Sequence, residues 1–126
     1  MTPQNILNLD NIRPWLEENG FASRDWGLLG SALKRPWMTF DGTELYPSIW
    51  LKTAALLDSI ESSHPLIDGN KRLGALLGIM MLQLHGIDDH MSDDDYWFEL
   101  VCAIATNHPD IESIASNLET RFSELG

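Results

Sequence analysis

The stretch LGALLGIMMLQL, residues 73–84, constrains the fold more than any other part of the chain. Leu73, Leu76, Leu77, Met80, Met81 and Leu84 recur at helical spacing, while Gly78, Ile79 and Leu82 leave almost no polar face. A helix that is apolar all round has to be enclosed by other helices. At a dozen residues the run is too short to cross a bilayer, so it reads as the buried element of a helical domain. Gly86 marks its C-terminal stop after His85, and Gly69-Asn70 marks its start.

The remaining sequence supplies the enclosing helices. A first runs from Asp10 or Arg13 to Asn19 and stops at Gly20, with Pro14 tolerable only in its opening turn. A second begins near Asp25, carries Leu28, Leu29, Ala32 and Leu33 toward Lys34, and ends at Pro36. Two prolines and an Asp-Gly pair make 36–47 a loop or small hairpin. Ser48 caps a third helix that presents Ile49, Thr53, Leu56 and Ile60, widened by Trp50, Ala54 and Leu57, and ends at Ser62-Ser63. The apolar run is the fourth. A fifth starts at Ser92, where Ser92-Asp93-Asp94-Asp95 resembles a capping box, and a sixth near Asp110. The expectation is an all-α fold, a compact bundle of about six helices with a small flap, forming a single domain over 1–126.

Charge narrows the function. Eight Lys and Arg against nineteen Asp and Glu give a net charge of -11, which argues against general nucleic-acid or anionic-membrane binding. The single cysteine, Cys102, lies in an apolar run and reads as a core residue in a reducing compartment. The N-terminal residues lack a signal-peptide pattern, so a cytoplasmic location is expected. His85, His90 and His108 have no metal spacing, and His85 reads as a helix C-terminal residue. The run from Asp88 to Asp95 reads as a solvated loop and cap. Tryptophans 15, 26, 50 and 97 read as core, and Trp37 in the flap is either core or a contact to a target peptide.

Against that acidic background, SSHPLIDGNKRLG, residues 62–74, concentrates cations at the start of the buried helix. A helix N-terminus offers free N–H groups and the positive end of the dipole. Gly69 admits a close backbone approach, Asn70 caps or bonds phosphate oxygen, and Lys71 and Arg72 add charged donors. These residues read as a phosphate cradle. A carboxylate in such a cradle needs a neutralising cation, which makes Asp68 the candidate ligand for Mg²⁺. His64, placed before Pro65, is pushed out of the preceding helix, and an imidazole with its ordinary pKa of about 6.5 suits a general base. The alternative is ordinary helix-start grammar, although Lys-Arg in a first turn is unfavourable against the dipole.

Residues 64–72, HPLIDGNKR, resemble the motif H-x-F-x-[DE]-G-N-G-R-x-x-R of the Fic/Doc family in its Doc, or death-on-curing, form. That form has lysine at the motif's last glycine, here Lys71, and lacks the final arginine, here Ala75. Residues 28–33, LLGSAL, are similar to the family's LLESAL helix, and the 36–47 loop sits where the family carries a substrate-docking flap. Two positions depart from the pattern: Leu66 stands for the phenylalanine, and Ser62 where Doc-like motifs often have arginine.

The resemblance implies an all-α Fic fold and a toxin of a type II toxin–antitoxin pair. It implies transfer from ATP to a protein hydroxyl, with elongation factor Tu as the Doc target. His64 is then the general base, Asp68 the Mg²⁺ ligand, and Gly69, Asn70, Lys71 and Arg72 the phosphate-binding residues. Lys71 also acts in catalysis: it fills the room that AMP transfer needs, so transfer of the terminal phosphoryl group, a kinase activity, is favoured over nucleotidyl transfer. A Fic-fold binding protein without activity is the further alternative. No [ST]-x-x-x-E-[GN] inhibitory segment occurs in the sequence, so a Phd-like antitoxin is the expected partner.

Overall fold

The computed structural model describes residues 3–87 and 94–123. In chain order these form α1 (Pro3–Ile6), α2 (Leu9–Glu18), α3 (Trp26–Lys34), β1 (Thr39–Phe40), β2 (Thr43–Glu44), α4 (Ile49–Ser63), α5 (Asn70–Leu84), α6 (Asp94–Asn107) and α7 (Ile111–Ser123). The fold is all-α apart from the β1–β2 hairpin.

Short polar side chains start most of the helices. Asn8, Asp25 and Ser48 accept from the N–H groups of Asn11, Gly27 and Leu51, capping α2, α3 and α4. Asp110 accepts from Ser113 at 2.7 Å and caps α7. The short helix α1 was not expected. The Asn8 cap starts α2 earlier than expected, so Pro14 lies in the second turn rather than the first. Burial of Ile12 and Leu16 outweighs the hydrogen bond that Pro14 cannot donate. α3 ends at Lys34, as Pro36 led us to expect, and a short 3₁₀ turn follows over Arg35–Trp37. The expected Ser92 cap and the acidic run at 88–93 lie outside the described residues.

α4 and α5 form the spine. One core joins Leu16, Leu29, Leu56, Ile60, Leu73 and Leu77; the other joins Leu57, Leu82, Trp97, Val101, Ile104 and Leu118. Both helices contribute to both cores. Each fully buried leucine contributes roughly 1.5–3 kcal/mol. Enclosure of α5 is incomplete: Leu76, Ile79 and Met80 are only half-buried. Cys102 is likewise half-buried, flanking the core that its neighbour Val101 enters. No helix among the described residues is long and apolar enough to cross a membrane.

The flap is a true hairpin. Asp41 and Gly42 both have positive φ, 55° and 79°, as a tight two-residue turn requires. Its base is tied down by charges. Lys52, 6% exposed, pairs with Glu44 at 2.8 Å and donates to the Tyr46 carbonyl. Arg35 bonds Asp58 at 2.7 Å, Ser59 at 2.8 Å and the Tyr46 hydroxyl at 3.0 Å. Trp37 resolves to packing: it stacks on His85 and lies under Lys52, leaving Met38, Phe40 and Leu45 as the exposed apolar residues of the flap.

Candidate functional site

The loop between α4 and α5 is held by a segment some forty residues upstream. Ser23 bridges Leu66 in antiparallel fashion and donates from Oγ to the Pro65 carbonyl at 2.6 Å. Ile67 N–H donates to Ala22 at 2.9 Å. Arg24 donates to the carbonyls of Ser63 at 3.0 Å and His64 at 3.1 Å. These anchors fix where α4 stops and where α5 begins.

His64 caps the C-terminus of α4 with φ 50° and ψ 63°, and its N–H donates to Ile60 at 3.1 Å. As expected for a residue before proline, it has left the helix, here by a left-handed turn. The left-handed conformation turns the chain more sharply and brings the His64 side chain to the cleft at the start of α5. Gly69 is also left-handed, at φ 88°. Its positive φ is what favours glycine; a Cβ there would lie 2.9 Å from Nη2 of Arg72, which can swing aside, and 3.3 Å from Phe21. Arg72 rests over the Phe21 ring, 4.8 Å from its centroid, in a cation–π contact.

Asn70 does something different from what its position suggests. Its Oδ1 accepts from Leu66 N–H at 2.8 Å and its Nδ2 donates to the Leu66 carbonyl at 3.0 Å. The side chain thus clamps the loop, and the group left for an anion is the Asn70 backbone N–H in the first turn of α5. Asp68 accepts from Gly69 N–H through Oδ1 at 2.9 Å, which leaves its other oxygen for a cation. Among the described residues no three His, Cys, Asp or Glu side chains group to hold a metal. The one carboxylate oxygen that Asp68 has left would suit an ion that completes its shell with phosphate oxygens and water, as Mg²⁺ does.

His64, Asp68, Gly69, Asn70, Lys71 and Arg72 all line one cleft of about 390 Å³. Every residue selected from the sequence is therefore in one place. Ile67 and Phe98 form apolar walls, and both are well exposed. The cleft also contains a residue that sequence reasoning missed. Glu61 is 1% exposed, lines the cleft, and has no hydrogen-bond partner on either carboxylate oxygen. Burial pushes its pKa up to about 8, against the opposing pull of the Lys71 charge. Ser23 and Arg24 were missed too, since nothing local marks residues whose partners lie forty positions away.

The family model described as Fic/DOC family matches residues 4–82, which include the flap, α4 and almost all of α5. Among curated proteins, Toxin Doc of Mycolicibacterium smegmatis is 40% identical over 96 residues, covering 75% of this chain and 74% of the relative. No solved structure is a significant match.

Proposed function

The chain belongs to the Fic/DOC family, and on that premise we propose that it is the toxin of a type II toxin–antitoxin pair, a cytoplasmic phosphotransferase that moves the terminal phosphoryl group of ATP to a hydroxyl of a target protein. The observation that supports phosphoryl transfer most is the contrast between Lys71 and Ala75. Lys71 lines the cleft at the anion-binding start of α5. Ala75, one turn on, packs toward the second core and offers no charge to a more distant phosphate. Charge is thus supplied near the reacting phosphoryl group and withheld beyond it.

In the proposed step an imidazole nitrogen of His64 takes the proton of the target hydroxyl. That oxygen forms a bond to the terminal phosphorus, the bond from phosphorus to the bridging oxygen breaks, and the nucleoside diphosphate leaves with the electron pair. Lys71, Arg72 and the first-turn N–H groups of α5 stabilise charge on the phosphoryl oxygens. Mg²⁺, held by Asp68 and phosphate oxygens, would offset the negative charge of the polyphosphate.

Elongation factor Tu is the proposed target and a Phd-like antitoxin the proposed partner, both by analogy with the Doc form of the family. The exposed flap residues Met38, Phe40 and Leu45 offer an apolar surface for a target peptide. Incubation of the protein with host lysate and either γ-labelled or α-labelled ATP tests the reading. Label transferred only from the γ position, with a matching phosphoryl mass on the target, is the expected result. Transfer of the α label, or a nucleotide monophosphate on the target, overturns it.

A further inference from the structure

Glu61 has a position that the proposed step does not use. It sits in α4, one turn before His64, and is one of the residues lining the cleft. Gly74 of α5 makes room for it, since a Cβ on that glycine would collide with Oε2 of Glu61. The residue is thus seated in a notch between two helices, almost without solvent, and both of its oxygens lack a partner. A buried carboxyl group left unbonded is costly, so such an arrangement persists best where a ligand completes it.

We propose that Glu61 is a further ligand-binding group of this cleft, which meets a phosphate oxygen as a neutral acid and donates a hydrogen bond to it. The inference rests on the reading of the cleft as a phosphate site. An ionised Glu61 would repel a polyphosphate, whereas a protonated one adds a donor beside Lys71. Burial holds the group protonated up to a pH of about 8. The other charged groups on the cleft are His64 and Asp68 from the connecting loop and Lys71 and Arg72 from α5. Among the described residues α6 contributes only Phe98 to the lining, and α7 contributes none.

The test is calorimetric titration of ATP, with divalent cations chelated, into the full chain and its Glu61→Gln variant at several pH values. The amide keeps a donor and cannot ionise, and effects from the nucleotide and the other four groups are common to both proteins. Relative to the variant, the wild type is expected to lose about tenfold in affinity between pH 7 and pH 9, as linkage to one proton requires. Carbon-detected NMR of the wild-type glutamates gives an independent reading: ATP should raise the titration midpoint of Glu61. Equal pH dependence in the two proteins, with an unmoved midpoint, overturns the assignment while leaving the phosphate cleft intact. A parallel titration of Mg²⁺ alone, without chelator, closes the alternative: Mg²⁺ binding that rises with pH and is lost in Glu61→Gln would make Glu61 a cation ligand and overturn the assignment too. Absence of ATP binding by both proteins at every pH overturns the phosphate-cleft reading itself, and the inference with it.

Discussion

The carboxylate of Glu61 on α4 occupies the space in which a side chain on Gly74 of α5 would begin. The two residues are thirteen positions apart, and each makes sense only with the other: the acid needs the notch, and the notch would be a void without the acid. Val101 of α6 would be in contact at 3.4 Å from that Cβ, so room for a side chain has to come from displacing the buried Glu61 carboxylate. Gly74→Ala is therefore expected to destabilise the protein by about 1–3 kcal/mol, despite alanine's better helix propensity. Glu61→Ala in the same chain should recover part of the loss, and urea unfolding of the single and double variants measures the coupling.

Stability should also carry the signature of the buried acid. Glu61 has a folded-state pKa raised from 4.5 to about 8, so between these values the folded protein binds a proton that the unfolded chain has released. Its contribution is fully present below the unfolded value and is lost as pH rises through the folded one, at up to about 1.4 kcal/mol per pH unit. Between pH 6 and pH 8 the wild type should lose roughly 2–3 kcal/mol relative to Glu61→Gln. Parallel stability curves for the two proteins over that range would show that the group is already ionised.

How much of this was readable in advance depends on the range of each interaction. The hairpin turn, the caps at Asp25 and Ser48, and the glycine at the start of α5 follow from local conformational rules, and the sequence shows them plainly. So does the grouping of His64, Asp68 and Lys71, which are close in the chain as well as in space. Glu61 left a weaker trace: it continues the stripe Ala54–Leu57 at helical spacing, and an acid on an inner stripe is a signal. Its notch depended on Gly74 in another helix. Ser23 and Arg24 left no trace at all, because their role comes from tertiary contact with carbonyl groups, which every residue has.

His64 is exposed, and its side chain makes no hydrogen bond among those described, so removing it should leave the fold unchanged. If it takes the hydroxyl proton, His64→Ala should slow phosphoryl transfer about 10²–10⁴-fold. Thermal unfolding should stay close to wild type. A rate within threefold of wild type would assign the proton to another group.

Lys71 and Asn70 lie side by side at the start of α5 but should fail in different ways when substituted. Lys71 is exposed, and its role is to supply charge. Lys71→Met should therefore weaken ATP binding or slow transfer with little change in unfolding. Asn70 instead holds the loop through both ends of the Leu66 peptide unit. Asn70→Ala leaves that donor and acceptor without their partner, at a cost of about 1–3 kcal/mol. Activity should fall with it, because the same loop carries Asp68 and follows directly on His64. Asn70→Asp separates clamp from ligand contact: it keeps the acceptor for Leu66 N–H and loses the donor to its carbonyl. Its stability should thus lie between those of the wild type and the alanine variant, measured by urea unfolding. An Asn70→Ala protein as stable as wild type, but unable to bind ATP, would move the side chain from the loop to the phosphate.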